Sequence, residues 1–326
     1  MNKKVRIGVL GCANIAIRSI LPSICALNDK FVLTSIASRY KEKADKYAAE
    51  FNTEPFYSYL ELIKSGKIDA VYIPLPNSMH KEWVEKALYN GIHVLVEKSL
   101  ACTYDNVVTL NSLAFNNSLA LVENFQFRFH SKLSEIINII NNGKIGELRC
   151  VRSSFGFPPF KDKENIRYKK ELGGGALLDA GTYPLKISQI ILGDNIEVSS
   201  ANLCYNKKSN VDIWGGAYLK QKKTNLFSEI AFGFDNYYQC NIEIWGSKGK
   251  LSTNRIFTAP PGYEPIIEIE TPNGKEIIKL QSDNHFINML SHFYTVIFSD
   301  IEKEKEYKLN NNQARLISEL KTKADE

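Results

Sequence analysis

The chain is short of the residues that bind metals and staple secreted folds. Its 326 residues include six cysteines and five histidines, all scattered. No C-x-x-C pair occurs, and no cysteine–histidine cluster has zinc spacing, so neither a bound metal nor a disulfide framework is expected. Free cysteines in apolar runs usually behave as small buried hydrophobes, which suits a reducing, cytoplasmic setting. Long apolar runs are missing too: nothing approaches the ~18 residues of a membrane span. Val9-Leu10-Gly11-Cys12 resembles a lipoprotein cleavage box. However, the uncharged stretch between Arg6 and Cys12 is far shorter than the ~7–15 apolar residues of a signal core. Charge of one sign is also scarce. The net charge is +5, from 41 Lys and Arg against 36 Asp and Glu, with lysine spread along the chain. Without a basic block, no nucleic-acid arm is expected. The densest charge run, Glu302-Lys303-Glu304-Lys305-Glu306, alternates in sign and reads as solvated surface. Internal repeats and low-complexity tracts are absent.

What is present is ordinary globular composition, 44% hydrophobic and 24% charged. At about 100–200 residues per domain, the length suggests two domains. Short apolar strands at 5–10, 31–38, 70–73, 94–96 and 119–122 alternate with helical stretches at 41–51, 80–90 and 105–116. This alternation predicts an α/β domain with a parallel sheet covered on both faces, over residues 1–124. From 125 to 326 the texture changes. A helix at 133–141 and a strand at 147–155 precede a lysine-rich loop, and Gly173-Gly174-Gly175 opens a helix running to 191. Period-two alternation through Tyr238, Cys240, Ile242 and Ile244 predicts a large mixed or antiparallel sheet in an α+β domain. Two helices near 286–298 and 312–324 close the chain and can pack back on the first domain. His285 and His292 share one helix face. With no carboxylate partner evident, they read as packing or surface residues.

The turn after the first strand, Gly11-Cys12-Ala13-Asn14-Ile15-Ala16, is a relaxed dinucleotide fingerprint. The first glycine permits the tight turn, and small residues next let the backbone approach a pyrophosphate and the helix pack on the sheet. Alone, it also fits an ordinary strand-to-helix turn. At the end of the second strand, where an NAD enzyme tends to carry an acid for the ribose 2′-hydroxyl, the chain reads Ser38-Arg39-Tyr40-Lys41. A hydroxyl with cations suits a 2′-phosphate, so NADP(H) is the expected cofactor. The other reading is the basic start of a surface helix.

Three further segments occur with this turn in a recognisable order: Pro74-Leu75-Pro76-Asn77-Ser78-Met79-His80, then Glu97-Lys98, then Gly173 through Asp179-Ala180-Gly181. Together they resemble the Gfo/Idh/MocA oxidoreductase family over nearly the whole chain. Val122-Glu123-Asn124-Phe125, Asn165-Ile166-Arg167-Tyr168, Gly181-Thr182-Tyr183-Pro184 and Asn254-Arg255-Ile256 are most similar to its NADPH-dependent sugar-nucleotide C3-ketoreductases. The resemblance implies a Rossmann domain, and a second domain that forms homodimers or homotetramers through its sheet.

It also implies roles. Lys98 would orient a ketone and stabilise developing charge, although a surface lysine at a strand end is the alternative. Most members carry histidine where this chain has Tyr183. The ketoreductase branch uses tyrosine there as proton donor; the alternative is a core aromatic. Asp179, one turn earlier, would orient a substrate hydroxyl. The implied cofactor contacts are Gly11, Cys12, Ala13, Asn14, Ile15, Ser38, Arg39, Lys41, Pro74, Leu75, Asn77, His80, Glu97 and Asn124. Arg167, Tyr168 and Arg255 are candidates for the sugar nucleotide, the arginines for its diphosphate or equally for structural ion pairs. One residue departs from the family motif: Ser99 replaces the proline after lysine. A cis peptide there is rare without proline, and a trans one would move Lys98. The function expected is reduction of the C3 keto group of a nucleotide-linked, dTDP-type deoxysugar. The rivals are an NAD(P)-dependent dehydrogenase of a free sugar, inositol or cyclic diol, and a non-catalytic NADP-binding sensor.

Overall fold

A computed structural model describes residues 3–162, 164–260 and 262–326. The chain divides into two compact units. One holds the residues up to Phe125 with Phe286–Asn311, the other Gln126–His285 with Asn312–Glu326.

In the first unit, β1 (Val5–Leu10), β2 (Phe31–Ala37), β3 (Glu54–Phe56), β4 (Ala70–Ile73), β5 (His93–Glu97) and β6 (Leu121–Asn124) form one sheet. Its order is β3-β2-β1-β4-β5-β6 and every pairing is parallel. The order reverses direction between β1 and β4, where open α/β sheets bind ligands. β4 is buried throughout, and β1 at every residue but Arg6, as a sheet covered on both faces requires. The covering helices include α1 (Leu21–Ala26), α2 (Lys41–Glu50), α3 (Tyr59–Lys64), α4 (Asn77–Tyr89) and α5 (Tyr104–Asn116). Ser58 and Thr103 cap α3 and α5 through their hydroxyls. β3 and α3 escape the apolar pattern because each is short. β3 also contains Pro55, tolerated because this strand lies on the sheet edge. α4 starts at Asn77, three residues earlier than its spacing predicts, directly after Pro76.

In the second unit, α6 (Ser131–Asn141) and α7 (Thr182–Leu192) accompany eight strands. These are β7 (Leu148–Gly156), β8 (Ile196–Tyr205), β9 (Asp212–Gln221), β10 (Phe227–Gly233), β11 (Gln239–Gly246), β12 (Lys250–Asn254), β13 (Ile266–Thr271) and β14 (Gly274–Lys279). The order is β14-β13-β12-β11-β7-β10-β9-β8, antiparallel except for the parallel pair β7–β10. Alternate residues separate its faces. Val151, Ser153, Phe155, Ile230 and Phe232 are buried on the side where α7 crosses β7 and β10. Arg152, Glu229, Trp214 and Trp245 stand on the other side.

The closing helices are α8 (His285–Phe298) and α9 (Asp300–Asp325). Phe31 of β2 stacks on Phe293 of α8 at 6.4 Å. α9 starts twelve residues before the expected 312, and the alternating charge run lies inside it rather than on a fully solvated surface. Lys303, Glu306, Asn310 and Gln313, spaced three, four and three residues apart, are all buried. A buried helix face made mostly of polar residues, with Tyr307 among them, escapes a pattern that looks for apolar ones. It also supplies the partner that His292 lacked in the sequence: Glu306 Oε1 lies 2.8 Å from its Nε2.

His285 is buried at 4% exposure, edge-on to the His130 ring at 5.7 Å. Burial, with His130 and Lys132 nearby, pushes its imidazole down to about 4. The unfolded chain therefore binds one more proton than the folded one between the ordinary value of about 6.5 and 4, so stability falls as pH falls through this window. Urea unfolding should register this group as a loss on the order of 1–2 kcal/mol between pH 7 and pH 5. His285→Gln should flatten the slope by that amount; an unchanged slope would place the proton uptake elsewhere.

Candidate functional site

At the carboxyl ends of three adjacent strands, Tyr72, Glu97 and Asn124 converge. Parallel register sets Glu97 beside Asn124, and Tyr72 lies on the opposite neighbouring strand. The Tyr72 hydroxyl and the Asn124 amide nitrogen both donate to Glu97 Oε1 at 2.6 Å. Surrounding protein pushes the Glu97 carboxyl up, although part of its surface stays open. The two hydrogen bonds and the Lys98 charge oppose that shift. Asn124 Oδ1 is buried with no hydrogen-bond partner among the described residues. Tyr72 was missed in the sequence because its hydrogen bond depends on strand register.

Lys98 follows directly and is part-exposed. The Lys98-Ser99 peptide is cis, so the absence of proline has not moved the bond to trans. Ser99 N–H donates to Asn77 Oδ1 at 3.2 Å, and Leu100 N–H to Glu123 Oε1 at 2.9 Å. His80 has no exposed surface. Its Nδ1 lies 2.7 Å from the Ser99 carbonyl and its Nε2 2.7 Å from the Leu75 carbonyl. Both neighbours are acceptors, and a neutral imidazole has one N–H. Burial pushes His80 down to about 4 against the pull of both carbonyls, and a neutral ring can donate to only one of them. The sequence placed His80 among direct cofactor contacts. It is fully buried between the Ser99 and Leu75 carbonyls.

The glycine turn is formed as its spacing implies. Gly11 has φ +112, and a Cβ there would lie 2.9 Å from Leu75 Cδ2. The turn thus needs glycine for its conformation, and a Cβ would also displace the end of the Leu75 side chain. Cys12, Ala13, Asn14 and Ile15 all keep open surface, whereas Ala16 is buried under the helix. At the end of β2, buried Ser38 accepts from Tyr40 N–H at 3.1 Å. Arg39, Lys41 and Lys43 are exposed; Lys41 lies over the Tyr57 ring and Lys43 over Tyr40. Lys43 is a cation the sequence reading left out. A turn open to close backbone approach, with exposed cations beside a hydroxyl, fits a dinucleotide bearing a 2′-phosphate.

In the second unit, the Gly173–Gly175 turn leads into a π-turn at Leu177–Gly181 and then α7. Asp212, at the start of β9, accepts from Leu177 N–H at 2.5 Å and so caps this helical run from another strand. No local signal marked Asp212. Asp179 accepts from Arg167 Nε at 2.6 Å. Two residues predicted for separate tasks are thus joined as an ion pair, with Arg167 also stacked on Phe160 at 4.8 Å. The Tyr168 hydroxyl accepts from Phe160 N–H, and its ring packs edge-on to Phe234. Tyr183, in the first turn of α7, is 7% exposed in a box of Phe127, Phe155 and Phe257, with centroids 5.1–5.8 Å away. Arg255 is exposed with φ +52, facing Tyr238 and Tyr263. Beneath it the fully buried Lys132 donates to the Asn254 and Arg255 carbonyls at 2.9 and 3.0 Å; burial pushes its ammonium down to about 8.

The first unit has the architecture of a dinucleotide-binding domain. Residues 5–125 match the model of an oxidoreductase family with an NAD-binding Rossmann fold, and residues 133–252 match the Gfo/Idh/MocA C-terminal domain. The chain belongs to the Gfo/Idh/MocA oxidoreductase family. It is 38% identical to a dTDP-3,4-didehydro-2,6-dideoxy-alpha-D-glucose 3-reductase from Saccharopolyspora spinosa, over 90% of this chain and 87% of that one. Its likeness to the enzyme of that name from Actinomadura kijaniata is 35%, over 98% and 96%. A solved 3-ketoreductase from Actinomadura kijaniata, in complex with NADP and TDP-benzene, superposes with a TM-score of 0.94 at 34% identity, covering 98% of both chains. An aldose-aldose oxidoreductase from Caulobacter crescentus shares the fold, with a TM-score of 0.88 at 20% identity.

The Asp212 cap makes one glycine indispensable. Gly175 has φ +114, and a Cβ there would lie 2.2 Å from Asp212 Oδ1. Gly175→Ala should therefore cost roughly 2–4 kcal/mol in urea unfolding through strain and loss of the cap. A change below about 0.5 kcal/mol would show that the turn relaxes freely.

Proposed function

We propose that this chain is an NADPH-dependent reductase of the C3 keto group of a nucleotide-linked deoxysugar, with a dTDP-linked 3-keto-6-deoxysugar as its substrate class. The observation that carries this reading is the presence of both a strand-end lysine, Lys98, and a tyrosine opening α7, Tyr183, in a chain similar throughout its length to sugar 3-reductases. Gly11, Cys12, Ala13, Asn14 and Ile15 would hold the pyrophosphate, and Ser38, Arg39 and Lys41 the 2′-phosphate. Leu75, Asn77, Glu97 and Asn124 would serve the nicotinamide end.

Bound NADPH supplies the hydride. Lys98 fixes the carbonyl oxygen by a charged hydrogen bond and stabilises the alkoxide. Tyr183 gives its phenolic proton to that oxygen, leaving a secondary alcohol and a phenolate that solvent reprotonates. A phenol, with an ordinary pKa of about 10, is a stronger acid than the alcohol it forms, so the transfer runs downhill. Asp179 orients a sugar hydroxyl, held in place by Arg167. For the diphosphate we assign Arg255 in preference to Arg167, whose charge Asp179 already offsets.

We also propose that the protein works in the cytoplasm and assembles through the open sheet face, as a dimer or tetramer. That face carries Trp214 and Trp245, each more than two-fifths exposed. Large exposed aromatics of this kind are enriched where a surface is covered by a partner. Trp245→Asp should lower the mass read by light scattering to that of the monomer; an unchanged mass would put the interface elsewhere.

Oxidation of NADPH should proceed rapidly with a dTDP-3-keto-6-deoxysugar generated in situ, and NADH oxidation much more slowly. Arg39→Ala should erode that preference about tenfold or more. Tyr183→Phe should lower kcat about 100-fold or more while NADPH binding holds. Tight NADPH binding without turnover would overturn the substrate assignment and favour a free sugar, a diol or a sensor.

A further inference from the structure

We infer that His80 is a positioning residue for Lys98, its Nδ1–H donating to the Ser99 carbonyl; the inference rests on the role proposed for Lys98. The first turn of α4 grips both polar groups of residue 99. Asn77 and His80, three residues apart on one helix face, meet its N–H and its C=O, respectively. The N–H held by Asn77 belongs to the peptide that leaves Lys98, and the C=O that meets His80 belongs to the next one, Ser99-Leu100, so the two contacts clamp the backbone on both sides of the Ser99 Cα. On its far side, the ring rests against the Leu75 carbonyl at 2.7 Å, and the Leu75 side chain fills the space that Gly11 leaves by lacking a Cβ. One imidazole thus joins the loop that packs on the dinucleotide turn to the backbone that aims the lysine.

His80 has no exposed surface, so it acts through these neighbours and not by contact with substrate or cofactor. A bulky ring held on two sides, with no space to rotate, fixes its neighbours to within the few tenths of an ångström that a reacting geometry demands. The lysine itself has four rotatable bonds, so its precision must come from the backbone beneath it. Glu123, accepting from Leu100 N–H, secures the next residue in the same way.

The two ring contacts can be separated by substitution. Asparagine at position 80 places its amide nitrogen near the site of Nδ1 and keeps the Ser99 link. Glutamine places it near Nε2, keeps the contact with the Leu75 carbonyl and gives up the Ser99 bond. The test compares His80→Asn and His80→Gln for kcat with the keto sugar, NADPH dissociation constant by fluorescence, and titration of the Lys98 signal in 13C-methylated protein. His80→Gln should lose about 10- to 100-fold in kcat, with NADPH binding changed less than about 3-fold and the Lys98 titration displaced. His80→Asn should keep kcat within about 5-fold and the Lys98 titration unchanged, with NADPH binding weakened more than in the glutamine variant. Equal losses in both variants, or the reverse pattern, would overturn the inference. A wild-type protein inactive on the keto sugar would sink the functional reading alone. The Lys98 titration and the NADPH arm then decide the positioning role, a shift in His80→Gln but not in His80→Asn upholding it. If either variant fails to fold, Asn77→Ser removes the other grip on residue 99 and should displace the Lys98 titration as well. An undisturbed signal there would count against the inference.

Discussion

A carboxyl group set into the buried end of a parallel strand has to be given hydrogen bonds or give up its charge. Glu97 is in that position, and much of the first unit is arranged around it. Its neighbours on both sides in the sheet supply donors, Tyr72 from one strand and Asn124 from the other. Those donors exist only if β4, β5 and β6 keep their register, because a slip of one residue would turn each side chain to the opposite face. The carboxyl, held still, gives Lys98 a fixed electrostatic neighbour. The polar cluster therefore specifies both the sheet's alignment and the lysine's setting.

Close approach of backbone is the second constraint. At Gly11 the missing side chain leaves room that Leu75 partly takes, and at Gly175 it leaves room for the Asp212 carboxylate. The consequences differ. The first turn keeps its open surface for a ligand, while the second turns a buried acid on the helix that carries Asp179 and Tyr183. That acid lies far away in sequence, yet it does what a local capping residue does elsewhere, and so ties the helix to the sheet beneath it.

These differences explain what was legible in the sequence. Order of elements and the glycine turn depend on local pattern and could be read directly, whereas Lys98 and Tyr183 were singled out by their resemblance to family motifs. Tyr72, Asp212 and Lys132 could not be read in either way. Each owes its role to a partner that only strand register or a distant loop brings near. The start of α9 was hidden for another reason. The buried face of its first turns is mostly polar, Lys303, Glu306 and Asn310 beside Tyr307, residues whose type largely signals solvent. His292 looked unpartnered because Glu306 belonged to a run that appeared fully solvated.

The same distinction between partnered and open charge separates the cations of the two units. A cation that is to receive a phosphate works best while its charge is not already offset, since a resident carboxylate must first be displaced or repelled. Arg39, Lys41 and Lys43 meet this condition: they are exposed, and among the described residues none is paired with a carboxylate. Arg255 meets it as well. Its guanidinium faces the Tyr238 and Tyr263 rings with no carboxylate paired to it among the described residues, and its left-handed backbone is bonded at the carbonyl by Lys132. Arg167 does not, because Asp179 holds it at 2.6 Å. Its charge is committed to orienting that acid, and this commitment makes Asp179 a fixed acceptor instead of a mobile one. Sequence alone offered two equivalent arginines; the ion pair to Asp179 distinguishes them.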